Sequence, residues 1–346
     1  ASPLVAGDWT RFRGPNGSGV AEDAAIPLEW SAEKNLKWKA ELPGKGSSSP
    51  VVGRDHIYLT AYTGYGVDLL DVGQPEQLVR HLVAIDRHAG QEAWRASVPS
   101  AAEEDPYVGF LTQHGYASST PTVDGDRVVA ILGKSGLFAY DRAGNQLWQV
   151  DLGQKSDPAK WGNAASPIVV GDAVIVDAGI LGNKFIGFDK QTGDQIWQIE
   201  DAALTNSWAT PVVNDADGRS VVLFHVPKQI IAVDPQTGEK IWWATSPVGD
   251  AACASIVVDQ DLAYIMGGRA GRAIAVRCGG QGDVSQTHTL WEEKLRAGIG
   301  TPVVVEDQLY WTSGGIFYAA DRQTGKYVYR ERLPRLGGPT GQFPNA

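Results

Sequence analysis

One phrase recurs along this chain and limits what it can fold into. Ala84-Ile85-Asp86 runs through Gly90 to Trp94, and Ala139-Tyr140-Asp141 through Gly144 to Trp148. Gly187-Phe188-Asp189 leads through Thr192-Gly193 to Trp197, and Ala232-Val233-Asp234 through Thr237-Gly238 to Trp242. Ala319-Ala320-Asp321 leads through Thr324-Gly325 to Tyr329, with tyrosine in place of tryptophan. A further copy, Ala273 to Trp291, lacks the aspartate and carries a longer glycine-rich turn from Cys278 to Thr289. Successive tryptophans (94, 148, 197, 242, 291) stand 45 to 54 residues apart. A period of that size marks supersecondary units that bury their apolar faces only against one another.

Each unit also opens alike. Ser49-Pro50-Val51-Val52, Thr120-Pro121-Thr122-Val123, Ser166-Pro167-Ile168-Val169, Thr210-Pro211-Val212-Val213 and Thr301-Pro302-Val303-Val304 are the openings, and Ala254-Ser255-Ile256-Val257 is a variant without proline. Proline lacks a backbone donor, so it belongs at the start of a strand. A short turn such as Asp124-Gly125-Asp126 follows, then an apolar run such as Val128 to Leu132. Asp-Gly pairs accept the positive φ of tight hairpins. The Asp…Thr-Gly stretch reads as a second hairpin whose aspartate caps backbone amides, and the tryptophan then sits on the outer strand, facing the next sheet. Four short antiparallel strands per unit make a propeller blade.

The expected fold is therefore all-β: a β-propeller of four-stranded antiparallel blades, with helix content under ~10% against a globular average near one third. Six complete blades fall at about 48–98, 118–152, 165–200, 208–245, 253–295 and 300–333, after an N-terminal extension over 1–35. Residues 36–42, with Trp38 in the tryptophan position, read as the outer strand of a partial closing blade. Ala1-Ser2-Pro3 resembles a unit opening that could feed that blade, and no seventh opening precedes Gln342-Phe343-Pro344. A β-sandwich has no such fixed phrase, and a doubly wound or barrel fold needs amphipathic helices that are not found between these strands.

Composition narrows the function classes. A net charge of −10 argues against a nucleic-acid surface, and no apolar run approaches the ~20 residues of a membrane-spanning helix. Twelve tryptophans against one methionine suit flat, repeated β packing. Cys253 and Cys278 show no metal-type spacing and read as two free thiols buried in strands. The start, Ala-Ser-Pro, has no basic and apolar leader pattern, which fits either a cytoplasmic chain or one already processed.

The repeat resembles the PQQ-binding-like β-propeller family, whose blades carry Ala-x-Asp-x-x-Thr-Gly-x-x-x-Trp. Asp8-Trp9-Thr10-Arg11-Phe12-Arg13-Gly14-Pro15-Asn16 and Leu36-Lys37-Trp38 are similar to the secreted bacterial, planctomycete-type subgroup related to the outer-membrane assembly lipoprotein. That resemblance implies seven or eight blades and an extracytoplasmic location, periplasmic or secreted. It also implies a non-catalytic module that binds a protein, peptide or glycan. The alternative it leaves is a PQQ-dependent oxidoreductase or a degenerate relative, with PQQ and calcium as cofactors. Such enzymes pair adjacent cysteines with a calcium site of Glu, Asn and Asp, and no two cysteines are adjacent here.

The residues themselves offer few catalytic candidates. Asp86, Asp141, Asp189, Asp234 and Asp321 recur at one place in each blade, which points to a turn rather than to chemistry needed once. His56, His81, His88, His114, His225 and His288 show no ligand spacing and read as surface or hairpin histidines. Asp215-Ala216-Asp217-Gly218 reads as a plain turn, because the distal acidic ligand of a calcium loop is missing. Asn16-Gly17-Ser18 is a glycosylation-type triplet of a kind that chance often produces. A binding surface is better supported, at the loops that enter the innermost strands and converge on a channel mouth. The residues there are His114, Tyr116, Trp161, Asn163, Asn206, Trp208 and Arg296, with Asp250 beside them. They could instead plug the channel. Two long insertions, Tyr62 to Arg80 and Ser100 to Gln113 with its acidic Glu103-Glu104-Asp105, are expected to wall a face.

Overall fold

The computed structural model describes residues 8–21, 27–100, 103–216 and 218–334. The Ala1-Ser2-Pro3 opening, Asp217 and the Gln342 segment lie outside the described residues. Contact clustering divides the chain into two compact units: residues 8–15 and 19–167, and residues 16–18 with 168–334.

The first unit holds two sheets. Sheet one comprises β1 (Val51–Val52), β2 (His56–Thr63), β3 (Val79–Asp86) and β4 (Glu92–Pro99). Sheet two comprises β5 (Thr122–Asp124), β6 (Arg127–Ile131), β7 (Leu137–Asp141) and β8 (Gln146–Val150). The second unit holds four sheets. Sheet three is β9 (Ile168–Val170), β10 (Ala173–Ala178), β11 (Lys184–Asp189) and β12 (Gln195–Glu200), and sheet four is β13 (Val212–Ala216), β14 (Arg219–Val226), β15 (Gln229–Val233) and β16 (Lys240–Thr245). Sheet five is β17 (Val257–Asp259), β18 (Leu262–Gly267) and β19 (Arg272–Arg277), then, after a short β20 (Gly282–Asp283), β21 (Thr289–Glu293). Sheet six is β22 (Val303–Val305), β23 (Gln308–Ser313), β24 (Ile316–Asp321) and β25 (Tyr327–Arg332). Neighbours within each sheet pair antiparallel in chain order. Helix among the described residues is confined to single turns, including α1 (Leu111–His114), α2 (Gly179–Gly182) and α3 (Ser285–His288).

The recurring phrase has a register behind it. In every sheet the small residue of the phrase lies directly opposite the aromatic one: Ala84 to Trp94, Ala139 to Trp148, Gly187 to Trp197, Ala232 to Trp242, Ala275 to Trp291 and Ala319 to Tyr329. A register shift follows at once, between Ala84 and Ile85 and at the matching place in the other five sheets. The small side chain leaves room for the indole, and the bulge adds the local twist that turns the chain into the aspartate hairpin.

Within each unit the indole then reaches the following sheet. Trp94 Nε1 donates to the Arg142 carbonyl at 2.8 Å, Trp197 to Pro235 at 2.9 Å and Trp291 to Arg322 at 2.9 Å. Beneath Trp197 lies Gly238, at φ +74°, where an added Cβ would stand 2.8 Å from the ring. Glycine is thus required there twice, for the backbone conformation and for the close approach. Trp148, Trp197, Trp242 and Trp291 are all at most 9% exposed, whereas Trp94 is half-buried. Apolar cores fill the space between successive sheets of a unit, such as Leu223, Trp242, Ile256 and Ile274 between sheets four and five.

Two segments depart from expectation. The long turn of sheet five is no simple hairpin: β20 crosses to sheet four and pairs parallel with β16, Trp242 opposite Gly282 and Trp243 opposite Asp283. The Ser285 hydroxyl accepts from Thr245 N at 2.9 Å and secures it. Residues 36–42 form no hydrogen-bonded strand among the described residues. They still alternate as an extended chain, with Trp38 and Ala40 against Leu59, Ala61, Val83 and Ile85 of sheet one, and Leu36 and Leu42 outside. Trp38 Nε1 donates to the Arg87 carbonyl at 3.1 Å over Gly90, repeating the geometry of the other blades. Ahead of it, Trp9 pairs with Val52 through two 2.8 Å hydrogen bonds, and the Thr10 carbonyl accepts from Val123 N at 2.7 Å, tying the arm to sheets one and two.

Candidate functional site

The hairpin aspartates act on their own turns. Asp86 Oδ1 accepts from His88 N and Ala89 N at 2.8 and 2.6 Å, and Asp141, Asp189, Asp234 and Asp321 make equivalent pairs. Amide hydrogen bonds favour the charged form and hold Asp86 below the usual carboxylate range. The next residue is also patterned. Arg87, Arg142, Lys190 and Arg322 follow their aspartates, and each meets a carboxylate of a β-turn or of the arm: Asp8 for Arg87 at 3.0 Å, Asp126 for Arg142 at 3.1 Å, Asp172 for Lys190 at 3.4 Å and Asp259 for Arg322. The sequence carried this signal, a cation after four of the five phrase aspartates (Pro235 follows Asp234) and an acidic residue upstream. It becomes readable only when the two hairpins are known to be neighbours.

In the first unit, His114 closes α1 at Gly115, whose φ is +71°. Its Nδ1 lies 2.6 Å from Ser118 Oγ, and burial pushes the imidazole pKa down against the backbone contacts of Trp161 and Gly115. Trp161 is half-exposed, with its ring centre 4.7 Å from that of Phe110. Its amide donates to Asp157 Oδ2 at 2.7 Å. Asp157 is buried, which raises its pKa. Asn163 donates through Nδ2 to Ser119 Oγ at 3.0 Å, and its buried Oδ1 has no hydrogen-bond partner among the described residues.

Tyr116 belongs to a different environment. It is 7% exposed and packs with Tyr62, Tyr65 and Tyr107, ring centres 5.5 to 6.0 Å away. Its hydroxyl donates to the Asp105 carbonyl at 2.6 Å, and burial drives its pKa far above the ordinary phenol. The two insertions pack on each other through this cluster, with Leu78 and Leu111. Of the acidic tripeptide, Glu104 and Asp105 face inward, while Glu103 is exposed. Glu104 accepts a two-pronged pair from Arg80 at 2.7 and 2.8 Å, both side chains 3% exposed. Burial raises the Glu104 pKa, but the hydrogen bonds and charge of Arg80 outweigh it and the net shift is downward. Lys134 donates to the Glu103 carbonyl at 2.8 Å and lies 3.6 Å from Asp105.

In the second unit, Asn206 (φ +58°) and Trp208 flank a fully buried Ser207. Trp208 N donates to the Ala252 carbonyl at 2.9 Å and Ala252 N to the Asn206 carbonyl at 3.0 Å. Trp208 is 9% exposed. Arg296 stands apart on the surface, its backbone held by the Tyr327 hydroxyl at 3.0 Å and by Trp311 Nε1 at 2.9 Å. Asp250 accepts from Arg269 N at 3.2 Å. The structure thus groups His114, Trp161 and Asn163 in one unit and Asn206 with Trp208 in the other. It buries Tyr116 and Trp208.

Two histidines correct the surface reading. His81 is 5% exposed, between the hydroxyls of Thr63 and Ser97 at 2.9 Å each, and His225 is 2% exposed inside β14. Strand alternation places both on inward faces that no ligand-spacing rule examines. Neither cysteine lies in a strand: Cys278 is buried just after β19 and Cys253 half-buried in a loop. Among the described residues no three His, Cys, Asp or Glu side chains gather around one point. A cavity of about 560 Å³ opens beside Lys37, Trp38, Arg87 and His88. No helix among the described residues is long and apolar enough to cross a membrane.

Comparison with known proteins follows the fold. Among solved structures, BamB from Moraxella catarrhalis is 17% identical, with a TM-score of 0.54 over 84% of this chain and 76% of that one. The quinohemoprotein alcohol dehydrogenase from Comamonas testosteroni is 13% identical, at 0.59 over 94% and 73%. A europium-containing methanol dehydrogenase is 11% identical, at 0.59 over 87% and 73%. At these identities the likeness is one of fold, the β-propeller. None of the curated proteins matches the chain. The family profile described as outer membrane protein assembly factor BamB matches residues 72–278 and, in an overlapping second placement, 181–331. With a repeat phrase, a register and a profile that agree over most of its length, this chain belongs to the BamB-like family of PQQ-type repeat β-propellers.

Proposed function

We propose that this chain is a non-catalytic extracytoplasmic β-propeller that binds a protein or peptide, with glycans as a further class. The observation that carries the reading is the family match, whose description names outer membrane protein assembly. It also supports the extracytoplasmic location. The chemistry agrees: the repeated carboxylates serve turn caps and inter-hairpin ion pairs, so they are structural rather than catalytic. In the first unit, Trp161, tilted against Phe110 and flanked by His114 and Asn163, offers a rigid, partly exposed aromatic surface with hydrogen-bonding groups at its edge. Such a surface loses little side-chain entropy on binding. In the second unit Asn206 and Arg296 are the accessible members, with Trp208 as support, and Tyr116 plays that supporting part in the first. Trp and Arg are the residue types most enriched at binding hot spots.

The test is retention of an unfolded outer-membrane β-barrel chain on the immobilised protein, compared with Trp161→Ala and Arg296→Ala. Both variants should keep their melting temperature and lose retention. Equal retention by all three would remove these surfaces from the reading, and no retention by the natural chain would remove this partner class. A thermal shift on adding PQQ with calcium would move the assignment to a quinone-dependent oxidoreductase.

A further inference from the structure

Where sheets three, four and five meet inside the second unit, a carboxyl group is buried without a cation. Asp177, near the end of β10, is 1% exposed and Ser207 is 0% exposed. The Ser207 hydroxyl lies against Asp177 Oδ2 and 2.9 Å from the His225 carbonyl oxygen. Asp177 Oδ1 accepts from Gly179 N at 2.8 Å. On either side of Ser207, Asn206 and Trp208 exchange backbone hydrogen bonds with Ala252.

Counting protons decides how this joint is held. A serine hydroxyl has one hydrogen, and a carbonyl oxygen can only accept. A Ser207 that donates to His225 has nothing left for Asp177, so an ionised Asp177 would face a lone pair in a dry site, which is costly. A neutral Asp177 satisfies both contacts: its own proton goes to Ser207 Oγ, and the Ser207 proton goes to the His225 carbonyl. We propose that Asp177 is a neutral carboxylic acid in the folded protein, and that its proton closes a two-bond chain through Ser207 to His225 that positions Asn206 and Trp208. The chain stands without the binding role; only its consequence for a ligand rests on that reading.

The surroundings agree. Burial pushes the Asp177 pKa up to about 7, against the opposing pull of Ser207 and Gly179. The other titratable group at the joint is His225. Its Nδ1 lies 3.0 Å from the Ala254 carbonyl and so carries the proton. Its buried Nε2 has no hydrogen-bond partner among the described residues. Burial pulls its pKa down to about 4, so it is neutral over the range in question. Lys184 of β11 is next to Phe185, the cross-strand partner of Asp177, and therefore points to the opposite face of the sheet. Residues 179–182 and 202–208 contain no ionisable side chain, and Asp201, which caps the turn before them, is exposed.

A carboxyl whose folded pKa exceeds its unfolded value takes up a proton on folding. Its stabilisation is complete below the ordinary value of 3.8, declines as pH rises and is flat above about 7. Buried His225 acts in the opposite sense over part of this range, so the Asp177 contribution is read as a difference: relative to Asp177→Asn, opening of the joint should become up to tenfold more frequent per pH unit between about 4 and 7. Asp177→Asn keeps both hydrogen bonds at every pH, because its amide donates to Ser207 and its oxygen accepts from Gly179.

The decisive measurements are infrared titration and hydrogen exchange of the whole chain. At pH 6 the natural protein should show the carbonyl stretch of a neutral carboxylic acid, lost with a midpoint near 7 and absent from Asp177→Asn. Asp157→Asn, which removes the other buried acid with a raised pKa, should leave that band in place. Exchange at the Trp208 and Ala252 amides, corrected for intrinsic rates, should accelerate with pH in the natural chain relative to Asp177→Asn, while Ser207→Ala should be poorly protected even at pH 5. A missing band, or an Asp177→Asn protein whose pH slope equals that of the natural chain, overturns the proposal. If Asp177→Asn does not fold, the band and its midpoint in the Asp157→Asn background decide alone.

Discussion

At the residue scale the fold rests on an indole, a glycine and a small residue opposite the indole. Trp197 fills the space over Gly238 and opposite Gly187, so its loss leaves a cavity that the surrounding strands cannot close. Trp197→Ala should cost ~3–5 kcal/mol in denaturant unfolding, and Trp148→Ala a similar amount. Values under ~1 kcal/mol would remove these side chains from the load between sheets. Gly238→Ala should also destabilise, since the added methyl meets the indole in a backbone conformation that alanine resists. The aspartates, glycines and tryptophans were legible in the sequence because each does its work within its own hairpin or on the very next one. The cations after the aspartates were not, because their partners lie some 15 to 80 residues away, a distance over which spacing carries no signal. The inward histidines escaped for a related reason: a strand hides alternate residues without announcing which face is inside.

At the element scale the insertions behave as a small added core. Spacing alone suggested the wall of a face, yet the tyrosines and the Arg80–Glu104 pair bind the two segments together. Removing one partner leaves an uncompensated buried charge, so Arg80→Met should cost ~3–5 kcal/mol, whereas Arg80→Met with Glu104→Leu should recover most of it. Glu104 is held below its ordinary 4.5, so its contribution is present above that value and lost as pH falls beneath it. Acid unfolding of the natural chain should accordingly begin at higher pH than that of the double variant. If the two acid transitions coincide, the pair does not set the insertions' stability. Tyr116 was expected at a binding surface because it stands between His114 and a strand opening. Its role in the insertion core depends on a tertiary contact with Tyr65 and Tyr107 that no local pattern encodes.

At the scale of the whole molecule, the period of the repeat made the architecture readable before any side chain was placed, and the departures lie where the period breaks. The N-terminal arm is one such place. Asp8 meets Arg87, Trp9 pairs with Val52, and Trp38 covers Gly90, so the arm supplies sheet one with the indole-over-glycine contact that sheets two, four and six receive from the preceding sheet. A chain lacking residues 1–42 should melt at clearly lower temperature, and an unchanged melting curve would show the arm to be an ornament. The other break is β20, which leaves sheet five to lie along sheet four. Its consequence is mechanical. Under tension applied at the two ends of the chain, blades joined by packing and isolated side-chain bonds peel off singly. The strand that sheet five lends to its neighbour is a stitch across that tear line, so those two should yield together. Single-molecule pulling should then record one extension step of double length among steps of blade size, and Ser285→Ala, which loosens the stitch at Thr245, should split it into two.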